Sequence, residues 1–483
     1  MRTSAGKLVG LLALVTLLVA CDSSHPVDPG PPSNCDPGVL CENVTQNRTL
    51  HADTVYTISG FIQVTNGAQL TIQVGTRIEG DFDIPGSSLF ITRGSRIVAN
   101  GTAMNPIVFT SSRPVGQRRP GDWGGLILVG NGIINRGSPS IIEGTGTSEA
   151  NPEQNYAGGT DNNDNSGTLR YVRVEFAGFP AAENQELNAL TMAAVGSGTT
   201  IEFVQVLLGL DDSFEWFGGA VNARNLISYE AGDDHFDASE GYAGNVQYMI
   251  AFQSFQPEPR AGIAGGVASD PQGFENDGCA AGTCNGGNNN ENAQPFTVPV
   301  FANFTLIGAP LGAWESSSGN IGMMLRRGVG GLYVNGVVAR YSRAGISIRG
   351  DNTNQRRVDN LLAVRNVYLT EVTSTFQGGP APGSGTGAQH SLDLGANAIE
   401  AGVAASLGLF MAVPANTVGA TAANFDWRPA AGSPIATGGL NSFAGLSAAL
   451  QAAAAGVVPT TYRGAAAPGG DQWWAGWTHY ARN

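Results

Sequence analysis

Short runs of alternating apolar and polar residues recur along most of the chain. Leu70-Thr-Ile-Gln-Val74 is one. Ile107–Phe109, Leu126–Val129, Tyr171–Phe176, Ile201–Leu208, Asn225–Tyr229, Val246–Ala251 and Gly331–Val338 are others. Each run is strand-like in length, rich in Val, Ile and aromatics, and closed by Gly, Asn or Asp. A period of two predicts strands. The runs return at intervals of roughly twenty residues, the spacing of a solenoid repeat.

Two self-alignments sharpen this. Leu70–Gly80 superposes on Leu89–Ala99 at an offset of 19, matching Ile72 to Ile91, Gly75 to Gly94 and Arg77 to Arg96. Asp211-Asp212-Ser213-Phe214-Glu215 superposes on Asp233-Asp234-His235-Phe236-Asp237 at an offset of 22. The absence of amphipathic helices between strands excludes βαβ units, and a propeller needs four hairpin-linked strands per blade. The pattern predicts an all-β chain, a right-handed parallel β-helix in which each coil is one repeat. An antiparallel sandwich is the competing architecture.

The ends read differently. Arg2 and Lys7 precede an apolar stretch, Leu8–Ala20, and Leu18-Val19-Ala20-Cys21 resembles a bacterial lipobox. This predicts a signal peptide over 1–20, lipidation of Cys21, and attachment to the outer membrane of a bacterium, with the inner membrane as the other destination. Residues 21–45, with Pro26, Pro29, Pro31 and Pro32, read as a flexible tether, and 46–440 as the β-helix. At 441–483 a C-terminal cap is expected. Phe443, Leu446 and Leu450 stand at helical spacing behind Ser442 as N-cap, and Trp473, Trp474 and Trp477 form an aromatic cluster.

The four remaining cysteines fall into close pairs, and an exported chain meets an oxidising compartment. Disulfides Cys35–Cys41 and Cys279–Cys284 are expected. Charge then narrows the partners. The 25 basic and 39 acidic side chains sum to −14, or −16 once Arg2 and Lys7 are cleaved away. Such a surface repels phosphate backbones, so nucleic acid is excluded as a partner. Lys7 is the sole lysine, so the mature chain has no amine for Schiff-base chemistry.

Gly121-Asp122-Trp123-Gly124-Gly125, Leu169–Gly178, Asp211–Gly219 and the tail Tyr462-Arg463-Gly464…Gly476-Trp477-Thr478 together resemble a group of exported bacterial β-helix lipoproteins. These occur especially in Bacteroidota. The resemblance implies the pectin-lyase-like β-helix superfamily over most of residues 50–480 and implies no particular reaction. His235 interrupts what is a run of acids in that group.

Chemistry concentrates in the second alignment. If 22 residues make one coil, Asp211 lies under Asp233, Asp212 under Asp234 and Glu215 under Asp237. Like charges about 5 Å apart at an effective dielectric near 20 repel by about 3 kcal/mol per pair. A bound hard cation, raised pKa values or side chains splayed into water would offset that, and calcium suits clustered carboxylates. Glu275 and Asp277 are expected to extend the patch. As a catalytic set, Asp212 and Asp234 would serve as a glycosidase pair with His235 as proton carrier. A lyase would need an arginine base such as Arg224 or Arg260. Asp161, Asn163 and Asn165 offer a second calcium loop or a polar turn. Its Gly comes one place late, and Val172 stands where the twelfth-position Glu belongs.

The expected function is a lipid-anchored β-helix that binds polysaccharide or another cell-surface polymer, stabilised by calcium. A polysaccharide lyase or glycoside hydrolase using the same acids is the alternative, and a purely structural envelope protein the third reading.

Overall fold

The computed structural model describes residues 35–145, 155–182, 185–263, 266–314, 316, 318–378 and 385–482. The expected signal peptide, Cys21 and most of the tether lie outside the described residues. Among the described residues no helix is long and apolar enough to cross a membrane.

The chain winds into a right-handed parallel β-helix. Among the described residues, short strands stack into a 10-stranded sheet and a 17-stranded sheet, parallel throughout except where Gln389–His390 joins the edge of the shorter one antiparallel. In the long sheet a single residue at positive φ bends successive strands, at Tyr171, Phe203, Asn225, Tyr248 and Asn303. That bend divides each such strand between two faces of the coil. The alternating pattern sends every second side chain inward. In the short sheet the inward column runs through Leu190, Phe214, Phe236, Phe274 and Met323, all 0% exposed. Phe214 and Phe236 stack with ring centroids 5.3 Å apart. Ladders of this kind fill the interior without a conventional core layer.

The offset of 22 is a true coil: Phe214 pairs with Phe236 and Glu215 with Asp237. The offset of 19 is not. Leu70 pairs with Ile97 in the long sheet, whereas Leu89 pairs with Ile62 in the short one. The two segments match because each is a strand, a glycine turn and another strand. Gly75 and Gly94 both sit at φ +83°, where a side chain is strained.

Both expected disulfides are present, Cys35–Cys41 and Cys279–Cys284. The C-terminal helix is Ala448–Ala453, and its N-cap is Ser447, not Ser442. Gly445 separates Ser442 from the helical stretch. The tail covers the outer face of the long sheet. Gln205 exchanges two hydrogen bonds with the His479 backbone, and Arg173 donates to the Trp477 carbonyl. Trp474 and Trp477 are buried and donate to the carbonyls of Phe425 and Trp473, so they pack as part of the tail.

Candidate functional site

Strand alternation places the acids. With Phe214 and Trp216 turned inward, Glu215 faces outward, and the register sets Asp237 and then Glu275 beside it on successive coils. One turn earlier in each coil a second column forms: Asn188, Asp212, Asp234 and Gln272. Its members reach to the next coil. Asp212 Oδ1 accepts the Asp234 amide at 2.9 Å, Asp234 Oδ1 accepts the Gln272 amide, and Gln272 Oε1 accepts the Ile321 amide at 2.9 Å. Asp212 and Asp234 thus stitch coils together with one oxygen each, leaving the second for other work.

Asp211, Asp212, Glu215, Asp233, Asp234 and Asp237 line one pocket of about 200 Å³ with Glu275. Glu143, Glu186, Asp270 and Asn188 complete it, and among the described residues no basic side chain lines it. Sequence reasoning missed these last four. Asn188 had a signal: Asn188-Ala189-Leu190 occupies the coil positions of Asp212-Ser213-Phe214. Of the other three, Glu186 ends the short strand Gln185–Glu186, and Glu143 and Asp270 lie in irregular segments between strands.

Single oxygens of Asp211, Asp212 and Asp233 lie within 4.8 Å of one another, as do those of Asp212, Glu215 and Asp237, and of Asp234, Asp237 and Glu275. Glu215 accepts from the Asn188 amide nitrogen. The buried atoms Asn188 Oδ1, Asp233 Oδ1 and Asp237 Oδ1 meet no donor from the protein. Burial pushes the six ladder carboxyls well above the ordinary carboxylate range, and neighbouring acids push the same way: Asp233 on Asp211, Asp237 on Glu215, Asp277 on Asp237. Arg326 stands at one end, paired with Glu275 and, at 2.8 Å, with Asp277. Asp277 is thereby taken up by Arg326 and Arg327 and does not extend the pocket.

His235 is withdrawn from the acids. It shares the inner corner position of Ser213, is 3% exposed, and its Nδ1 lies 2.6 Å from Ser228 Oγ. Burial lowers its pKa to about 3, so the ring is neutral, not imidazolium, near neutral pH. The proposed shuttle therefore has no place in the pocket. Asp161, Asn163 and Asn165 fold as a polar turn. Asp161 Oδ1 accepts the Asn163 amide and Asn165 Oδ1 the Gly167 amide, both at 2.8 Å. Among the described residues this loop contributes no side chain to a convergent group of three His, Cys, Asp or Glu. Arg260 packs on Phe82 at 3.9 Å and Arg224 stands exposed on the long sheet's outer face beside Glu202. Neither lines the pocket.

A family model described as a pectate-lyase like beta helix domain matches residues 42–407. No curated protein matches the chain. Among solved structures, the catalytic domain of a GH87 alpha-1,3-glucanase in complex with tetrasaccharides is similar at 11% identity and a TM-score of 0.28. The match covers 72% of this chain and 67% of that one. Nothing about the site follows from a likeness that loose.

Proposed function

The chain belongs to the family of pectate-lyase-like beta helix domains, and from that premise we propose that it binds polysaccharide or a similar extended surface polymer, with calcium held in the acidic pocket. The observation that carries the cation is the stack of Asp212 on Asp234 and of Glu215 on Asp237 and Glu275, with buried oxygens lacking donors and, among the described residues, no basic lining. Carboxylates so placed require protons or a hard cation to offset their repulsion. Calcium accepts many oxygens in flexible geometry, which suits an uneven ring of Asp and Glu. The polymer comes from the family's description together with a ladder that runs along the helix axis. The N-terminal lipobox supports a bacterial chain exported and tethered through Cys21, most simply to the outer membrane.

Calorimetric titration of calcium into metal-free protein tests the cation, and pull-down with insoluble polysaccharides in calcium and in chelator tests the polymer. No heat in the first would overturn the cation reading.

One observation favours hydrolysis as a second reading. Oxygens of Asp212, Glu215 and Asp237 lie within 4.8 Å, close to the roughly 5 Å carboxyl spacing of retaining glycosidases. Reducing-sugar release abolished by Asp212→Asn or Asp234→Asn would put catalysis first.

A further inference from the structure

We propose that the acidic pocket holds at least two divalent cations in a row, with Asp212 and Asp237 as shared, bridging carboxylates. This rests on the pocket being a cation site and extends that reading to the number of ions and the division of ligands.

Three groups of carboxylates converge: Asp211–Asp212–Asp233, Asp212–Glu215–Asp237 and Asp234–Asp237–Glu275. Asp212 belongs to the first two and Asp237 to the last two, so the groups form a chain. A carboxylate has two oxygens and can give one to each neighbouring ion. Parallel strands stack about 4.8 Å apart, comparable to the roughly 3.5–4 Å between ions in two-metal sites.

A cluster of acids alone would say little. The independent sign is Asn188, which is 1% exposed and lines the pocket. Its Nδ2 is engaged by Glu215, while its Oδ1 meets no donor. An amide oxygen is the neutral hard ligand that calcium takes alongside carboxylates. Its placement beside Glu215 assigns it to the middle group, the one that shares a carboxylate with each neighbour.

Charge argues for more than one ion once calcium displaces the protons these carboxyls hold. The three groups contain seven carboxylates, and Arg326 pairs with Glu275 alone among them. One divalent ion would leave most of these charges facing one another. Two or three bring the row near balance. Calcium's tolerance of irregular, high coordination fits better than magnesium's strict octahedron.

The test is a count. Full-length protein is stripped with chelator, dialysed, titrated with calcium alone in a calorimeter, and weighed by native mass spectrometry. Two or more ions per chain are expected. Asp237→Asn should lower that number by at least one, or weaken the remaining affinity at least tenfold, while Asp161→Asn changes neither. If Asp237→Asn fails to fold, Glu275→Gln at the edge of the third group reads the same loss. A single ion per chain overturns the shared row yet leaves the pocket a cation site. No ion at all overturns both.

Discussion

Two sets of buried carboxylates contrast in this molecule. Glu230 is 0% exposed beneath the C-terminal tail, and it brings its own donors. It accepts the Ser254 amide at 2.8 Å, the Ser254 hydroxyl at 2.6 Å and the Tyr480 hydroxyl, with Arg482 adding favourable charge. The acidic pocket packs more acids together, Asp212, Glu215 and Asp234 buried and Asp211, Asp233 and Asp237 half-buried, and supplies little. Asp212 and Asp234 each receive one amide, and Asp233 and Asp237 each keep a buried oxygen without a donor. A carboxylate buried to hold a fold together is met from inside the chain. Carboxylates buried against one another point to a partner from outside it.

Calcium removal should break this comparison most visibly. A site filled at a hundred times its dissociation constant contributes about 2.7 kcal/mol, so losing two costs about 5 kcal/mol. Melting scans in calcium and in chelator should differ by many degrees, and superimposable scans would count against the pocket's role. Next comes the double variant Asp212→Asn, Asp234→Asn. It keeps both oxygens that receive amides but removes the repulsion, worth about 3 kcal/mol for a pair at 5 Å. In chelator at pH 8 it should therefore melt above the unsubstituted protein. Its response to calcium should shrink. A variant that melts lower in chelator would mean the acids are not in conflict.

The same contrast explains what was legible in the sequence. Alternation and strand-closing residues reveal a solenoid because every coil obeys the same in–out rule. The two D-D-x-F-[DE] segments reveal one true coil because identical side chains occupy identical positions. Coil length is not constant, however. Phe214 to Phe236 spans 22 residues and Phe236 to Phe274 spans 38, so a fixed offset cannot be carried along the chain. That is why Glu143, Glu186 and Asp270 escaped notice, whereas the match at 19 joined two different sheets because both segments are a strand, a glycine turn and a strand. His235 was misjudged for a related reason. It lies at the corner just before the strand Phe236–Ser239, where the chain turns its ring toward Ser228 while Asp233 and Asp234 reach the pocket. The aromatic tail was legible as a packed element, but its seat along the side of the stack depends on contacts such as Gln205 with His479, more than 250 positions apart.

Glu230 offers a finer test. Burial, only partly offset by its donors, raises its pKa from 4.5 to about 7. The folded state therefore holds this proton more tightly than the unfolded chain. The resulting stabilisation is complete below pH 4.5 and is lost as pH rises through 7, amounting to no more than about 3 kcal/mol. Glu230→Gln should flatten that slope. Urea unfolding of both proteins at pH 5 and pH 8, in saturating calcium, measures it as a difference of differences. Parallel curves would mean that Glu230 is already ionised beneath the tail.

The smallest effect belongs to the turn at Asp161, and its smallness is what makes it useful. Asp161 is exposed, and its carboxylate accepts an amide two residues along its own chain. It has what Asp233 Oδ1 and Asp237 Oδ1 lack, a donor from its own loop, and it faces water. Asp161→Asn retains the accepting oxygen and relieves no crowding, so stability should change by less than about 0.5 kcal/mol. The calcium dependence of melting should match that of the unsubstituted protein. A loss of calcium response in this variant would move the cation from the stacked acids to the turn. The contrast between self-satisfied and unsatisfied carboxylates would then have been drawn in the wrong place.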